Sequence, residues 1–117
     1  GLPLIPGWSG PATEVIEGAR SVGFPLLVKA AAGGGGKGMR LVRSPEELEE
    51  AVRRAQSEAR KAFGDDRVFL ERYIEAPRHI EVQIFGDQQG NAFCFGEREC
   101  SLQRRYQKIV EEAPSAA

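Results

Sequence analysis

The sequence predicts an α+β fold with a largely antiparallel sheet, and three observations carry that expectation. Apolar residues repeat at helical spacing through one long segment. Short apolar or alternating runs lie on both sides of it, separated by glycine-bearing turns. No internal repeat organises the chain. At 117 residues, it is the size of one modest domain.

Taken in order, Gly1 to Gly7 is too rich in Pro and Gly for a long element and reads as a linker with a short strand. Pro11 to Val22 predicts a short helix with Val15, Ile16 and Ala19 on one face, closed by Gly23. Phe24-Pro25-Leu26-Leu27-Val28-Lys29 suits a strand with its proline near the start. Gly33 to Gly36 must form a loop, and Met39-Arg40-Leu41-Val42 resumes an extended pattern beyond it.

Ser44 to Phe63 carries the best helix signal. Ser44 suits the cap, Pro45 the first helical position, and Glu47 completes a capping box. Leu48, Ala51, Val52, Ala55, Ala59 and Ala62 supply the apolar stripe. Glu49 with Arg53 and Glu50 with Arg54 form i,i+4 pairs, each worth about 0.3 kcal/mol. Gly64 ends the helix, and Val68 to Tyr73 reads as a strand. His79 to Phe85 alternates, with Ile80, Val82 and Ile84 on one face, and pairs with 92–97 across a turn at 87–91. From Arg98 onward the chain is polar and has no clear period.

Bulk properties exclude several classes. Hydrophobic residues make up 41% and charged residues 28%, the range of globular proteins. A net charge of −1 gives no field to draw nucleic acid or anionic membranes. No apolar run approaches the roughly 20 residues that span a bilayer, and the N-terminus does not read as a secretory signal. Cys94 and Cys100 lack zinc-type spacing and are too few for a disulfide framework. They read as reduced, packed thiols of an intracellular protein. The chain starts at Gly1 without Met and stops just after Glu111-Glu112-Ala113-Pro114, so it reads as a piece of something longer.

The glycine-rich loop is the first feature with chemical content. Gly33, Gly35 and Gly38 have the spacing of a dinucleotide fingerprint, but that motif needs a helix directly after the glycines. A P-loop needs Ser or Thr after Gly-Lys, and Lys37 is followed by Gly38. Two readings remain: a plain surface hairpin, or a hairpin whose backbone N–H groups fold over phosphates. Lys29, on the strand entering the loop, favours the second, since an ammonium there can reach an anionic oxygen. Glu71 and Arg72 by themselves are an ordinary charged strand end, and a lone His such as His79 is more often structural. Arg104, Arg105 and Lys108 with Tyr106 hint at nucleic acid, but Glu111, Glu112 and the near-zero net charge oppose that.

The block from Phe24 to Arg40 resembles the lysine and glycine-loop signature of ATP-grasp carboxylases and carbamoyl-phosphate synthetases. Further blocks narrow the resemblance: Glu71-Arg72-Tyr73-Ile74, Pro77 to Gln83, Glu97 to Ser101, and Gln103-Arg104-Arg105-Tyr106-Gln107-Lys108. Their order and spacing are similar to biotin carboxylase, as found in acyl-coenzyme A carboxylases and pyruvate carboxylase. The resemblance covers nearly the whole chain.

The resemblance implies a role for each matched residue. By it, Lys29 contacts ATP phosphate, and Gly35 and Gly36 supply amides over the phosphates. Glu71, Arg72, Tyr73 and Ile74 line the adenine pocket, where backbone groups read the base edge and the acidic side chain accepts from the amino group. His79 and Gln103 are further ATP contacts. Lys108 is the catalytic residue that holds bicarbonate or the carboxyphosphate made from it. Tyr106 departs from the His often found there, though a phenol can still bond a ribose hydroxyl. Residues 1–73 are the ATP-grasp lid, and 74–117 begin the C-terminal ATP-grasp subdomain. Closure of the glycine hairpin would protect a labile mixed anhydride from water.

The same resemblance implies a parent ligase that uses ATP, magnesium and bicarbonate to carboxylate biotin on a carrier. The magnesium ligands and the arginine of the biotin site lie outside these residues, so this chain alone is expected to be inactive. Its partners would be a biotin carboxyl carrier domain and a carboxyltransferase in an oligomeric parent, with no nucleic acid and no membrane. The compartment would be the cytoplasm, or the mitochondrial matrix in a eukaryote. The alternatives are another ATP-grasp ligase, such as a carbamoyl-phosphate synthetase relative, and a non-enzymatic nucleotide-binding module.

Overall fold

The computed structural model of the chain describes residues 1–33, 36 and 38–116. It comprises two compact units, Gly1–Ile74 and Glu75–Ala117. Among the described residues, no helix is long and apolar enough to cross a membrane. The α+β class expected from the sequence holds: helices and antiparallel strands, with no parallel pair among the described strands.

The first unit runs β1 (Gly7–Ser9), a 3-10 turn (Ala12–Glu14), α1 (Val15–Val22), β2 (Leu26–Ala30), β3 (Met39–Val42), α2 (Pro45–Phe63) and β4 (Val68–Arg72). Its sheet has the order β1-β4-β2-β3. Successive side chains in a strand alternate between faces. Leu26 and Val28 of β2, Val42 of β3 and Leu70 of β4 therefore share one face, and all four are fully buried. Val15, Ala19 and Val22 of α1 and Leu48, Val52 and Ala55 of α2 close over them as one core. Burying a side chain of this size contributes about 1.5–3 kcal/mol.

The helices depart from expectation in detail. Pro11 does not open an α-helix; its carbonyl accepts from the Glu14 amide at 2.9 Å in a 3-10 turn, and α1 begins at Val15. Ile16, expected on the apolar face, is 55% exposed. The capping box of α2 does not form either. Ser44 makes no side-chain cap bond. Glu47 reaches past Ser44 to accept from the Arg43 amide at 3.0 Å. Leu48, Val52, Ala55 and Ala59 are buried and Ala51 is partly so, while Ala62 at the last turn is exposed. Gly23 and Gly64 end the helices as expected, with φ of 79° and 71°.

One glycine sets the distance between α1 and β1. A Cβ on Gly18 would lie 2.2 Å from the Trp8 indole, so the ring packs directly on the helix backbone. No larger residue leaves that room.

The second unit is built from hairpins. β5 (Ile80–Gly86) pairs with β6 (Ala92–Glu99), with a register irregularity between Val82 and Ile84. The Asp87 carboxylate closes the turn by accepting from the amides of Gln89 and Asn91 at 2.9 and 2.8 Å. The polar tail after Arg98 also contains structure that its lack of period hid. β7 (Gln103–Arg104) and β8 (Gln107–Lys108) form a two-residue hairpin. Its turn residues, Arg105 and Tyr106, have φ of 52° and 64°, the paired left-handed geometry of a type I′ turn. Periodicity cannot reveal so short a hairpin, and neither turn residue is the usual Asn or Gly.

The two cysteines part company. Cys100 is fully buried, but Cys94 is exposed, against the expectation that both pack. Phe93 and Phe95 beside Cys94 are also exposed, so this strand has no covering layer among the described residues.

Candidate functional site

In the first unit the chemistry gathers on the sheet face opposite the helices. Lys29 alternates away from the buried Val28 and Ala30, and Glu71 away from Leu70. Register places Lys29 opposite Phe69 and Leu27 opposite Glu71, so Lys29 and Glu71 are diagonal neighbours. The Lys29 ammonium donates to Glu71 Oε2 at 2.8 Å and lies 5.3 Å from the Phe69 ring centroid. At about a quarter exposed, both charged groups are partly shielded from water.

The glycine loop begins directly above this pair. Ala30 donates its amide to Gly38 O at 3.0 Å, and Gly33 donates to Ala30 O at 3.1 Å. Gly36 and Gly38 have φ of 81° and 71°, where L side chains are strained. A Cβ on Gly38 would also fall 2.7 Å from that of Ala30. Gly36, expected over phosphates, thus sits in a loop built on glycine-only geometry. Gly35, expected to share that task, lies outside the described residues.

The strand segment expected to line an adenine pocket divides. Glu71 shares the Lys29 face. Arg72 alternates to the opposite face, where a Cβ on Gly23 would lie 2.5 Å from its Nη1. The amides of Arg72 and Tyr73 donate to Pro6 O and Pro25 O at 2.8 and 3.0 Å, so these donors already have partners. Tyr73 is partly buried and Ile74 is 46% exposed. An open groove of about 900 Å³ runs past this edge, lined in part by Trp8, Ser9, Phe69 and Glu71.

In the second unit two of the expected residues, His79 and Lys108, meet on Glu81, which sequence reasoning passed over, and a third, Gln103, bonds to His79. Gln103 Nε2 donates to Cys100 O at 2.9 Å and also lies 2.9 Å from His79 Nδ1. An amide nitrogen has only protons to offer, so His79 Nδ1 accepts and its Nε2 carries the proton. That Nε2 faces Glu81 Oε2 at 3.3 Å. Glu81 also accepts from Lys108 through Oε2 and from Arg98 Nε through Oε1 at 2.9 Å. The Lys108 bond, followed by those from Arg98, holds the Glu81 carboxyl down to about 2. Glu81 in turn raises Lys108, which keeps its ammonium charged. Arg98 is shared with Glu111 at 3.0 Å.

A second carboxylate fastens this unit. Glu99 accepts from Arg78 Nη2 at 2.8 Å and from Ser101 Oγ at 3.0 Å, and the Ser101 hydroxyl accepts from the His79 amide at 2.9 Å. Bonds from Arg78, then from Ser101, bring the Glu99 carboxyl to about 2. Tyr106 does not join the cluster. It occupies the hairpin turn and is 50% exposed.

Phe69, Glu81, Arg98 and Glu99 were missed because each depends on register. Glu81 faces Arg98 directly across β5 and β6, a relation visible only once the strands are aligned. Counting back evenly from the 87–91 turn pairs Glu81 with Glu97 instead, and only the register shift between Val82 and Ile84 brings Arg98 opposite it.

The sequence profile described as "Carbamoyl-phosphate synthase L chain, ATP binding domain" matches residues 1–117. Pyruvate carboxylase of Staphylococcus aureus is 56% identical over 97% of this chain and 10% of its own length. Biotin carboxylase of Haemophilus influenzae is 49% identical over 98% of this chain and 27% of its own length. Among solved structures, the biotin carboxylase domain dimer of Hydrogenobacter thermophilus 2-oxoglutarate carboxylase superposes with a TM-score of 0.91. It is 48% identical over 98% of this chain and 26% of that one, and it was solved with MgADP, ADP and bicarbonate. The chain therefore spans about a tenth of the pyruvate carboxylase and about a quarter of the biotin carboxylase. Matched from end to end and about half identical to biotin carboxylases, the chain belongs to the carbamoyl-phosphate synthase L chain, ATP-binding domain family.

Proposed function

We propose that the chain is the nucleotide-gripping part of a biotin carboxylase, whose whole protein uses ATP and bicarbonate to carboxylate biotin on a carrier domain. The observation that supports this best is the Lys29–Glu71 pair at 2.8 Å, lying at the foot of the glycine loop. It sets a phosphate-seeking cation beside an acceptor suited to an exocyclic amino group. The enzyme is an ATP-dependent ligase. The carbamoyl-phosphate synthetase alternative is not favoured, because the relatives near half identity are carboxylases.

In this reading, residues 1–73 are the lid and 74–117 open the C-terminal subdomain. Lys29 meets an ATP phosphate with loop amides that include Gly36, and Gly35 shares that role. Glu71 accepts from the adenine amino group, with Arg72, Tyr73 and Ile74 along the base. His79 and Gln103 contact the nucleotide as a hydrogen-bonded couple, and Tyr106 offers a phenol to the ribose. Lys108, aimed by Glu81, holds bicarbonate.

A bicarbonate oxygen attacks the terminal phosphorus as the bond to ADP breaks, giving carboxyphosphate. Transfer of its carboxyl group to a biotin ureido nitrogen breaks the C–O bond to phosphate, and the departing phosphate takes up the ureido N–H proton. The reaction brings anions together, so fixed cations lower its barrier. Magnesium, held by residues outside this chain, would neutralise charge on the phosphates. A carrier domain and a carboxyltransferase complete the oligomeric parent, in the cytoplasm or the mitochondrial matrix of a eukaryote.

The test is substrate-dependent turnover. The full-length protein should cleave ATP in the presence of magnesium, bicarbonate and biotin, and should not make carbamoyl phosphate when ammonia replaces biotin. This chain alone should release no phosphate above background. Biotin-independent turnover of the full-length protein would overturn the reading.

A further inference from the structure

The two residues assigned to opposite ends of the nucleotide are bonded to each other. Lys29 Nζ stands 2.8 Å from Glu71 Oε2. A ribose separates the base of ATP from its phosphates, so one ligand cannot be served at both ends by groups locked together at this distance. Phe69, 5.3 Å below the ammonium, adds a second hold that leaves the lysine over the sheet.

We infer that Glu71 is a specificity-determining residue that makes phosphate capture by Lys29 conditional on recognition of the base. Without a base, the carboxylate occupies the ammonium and competes with any incoming phosphate. When an exocyclic amino group engages the carboxylate, Lys29 is released toward the phosphates. A compound with phosphates but no amino-bearing base must break the pair unaided, and binds more weakly for that reason. The pair thus discriminates against free polyphosphate, which carries the charge of the triphosphate without its base. Both groups are about a quarter exposed, so the competition is less screened than at an open surface. This inference rests on the proposed adenine and phosphate roles of Glu71 and Lys29.

The experiment measures binding of inorganic tripolyphosphate and of adenosine to the full-length protein, for wild type, Glu71→Gln, Glu71→Asp, Lys29→Met and the Lys29→Met/Glu71→Gln double variant. Glu71→Gln should bind tripolyphosphate about three- to fivefold more tightly, the scale of one shielded ion pair. Glu71→Asp keeps the charge but is one methylene shorter, and should show part of the same gain. In the Lys29→Met background, Glu71→Gln should give no gain, which separates release of Lys29 from a general loss of negative charge. Adenosine binding should weaken in Glu71→Gln. If adenosine weakens and tripolyphosphate is unchanged, or tightens equally without Lys29, the coupling is overturned while the adenine site stands. If adenosine binding is unaffected, the underlying site assignment fails instead. Each variant is first checked for a wild-type thermal transition, and Glu71→Asp carries the test if Glu71→Gln does not fold.

Discussion

Gln103 Nε2 lies 2.9 Å from His79 Nδ1 and thereby sets which imidazole nitrogen carries the proton. Gln103 is itself pinned by the Cys100 carbonyl, also at 2.9 Å, so its amide cannot turn its oxygen inward without losing that bond. The proton-bearing Nε2 then faces Glu81 at 3.3 Å. Two residues far apart in sequence act as one unit.

Replacing Gln103 should therefore cost what replacing His79 costs. In the full-length protein, Gln103→Ala and His79→Ala are each expected to raise the KM for ATP several-fold. The double variant should be little worse than either single one, because residues that share one interaction are not additive. Steady-state kinetics over a range of ATP concentrations checks this; full additivity would show that the two side chains act separately.

Acid should loosen the second unit in a defined window. Glu81 and Glu99 both titrate at about 2 in the folded chain, below the ordinary 4.5. The folded values are depressed, so the stability these groups contribute is fully present above 4.5 and is lost as pH falls from there toward 2. Urea midpoints measured across that range should fall, and Glu81→Gln with Glu99→Gln should flatten the decline. An unchanged slope in the double variant would contradict the assignment.

The first unit should be sensitive to the packing of its core. Leu70 is fully buried among both helices, and Leu70→Ala is expected to cost about 2–5 kcal/mol by urea denaturation. An effect below about 1 kcal/mol would mean that the site collapses around the smaller side chain.

Gly18→Ala tests overpacking at the same core. The added methyl would meet the Trp8 indole at 2.2 Å. A loss of about 1–3 kcal/mol is expected, against the small gain that alanine normally brings to a helix. A second change, Trp8→Leu, should recover part of the loss by removing the obstructing ring.

Much of this arrangement was legible in the sequence, and the gaps have physical causes. The stripe of α2 and its glycine stop could be read directly, because a 19-residue helix repeats its pattern often enough to be seen. The strands around the glycine loop were equally plain, and alternation alone puts Lys29 opposite the buried Val28. The start of α1 was misplaced because Pro11 suits a 3-10 turn as well as an α-helix. The capping box failed because Glu47 reached the Arg43 amide in place of that of Ser44, a choice between adjacent donors that residue type does not decide. Glu81 stayed hidden for a different reason. Its importance comes from Arg98, Lys108 and His79 converging on it, and that depends on strand register and on a hairpin only two residues per arm.

If the proposed function holds, Lys29 and Lys108 serve phosphoryl transfer from ATP to bicarbonate in a biotin carboxylase. That chemistry is tested by supplying the full-length protein with ATP, magnesium, biotin and heavy-oxygen-labelled bicarbonate, and then weighing the released phosphate. The expected outcome is phosphate carrying one oxygen from bicarbonate, formed at a rate that depends on biotin and is lost in Lys108→Ala. Phosphate carrying oxygen from water alone would contradict the proposed roles of both lysines.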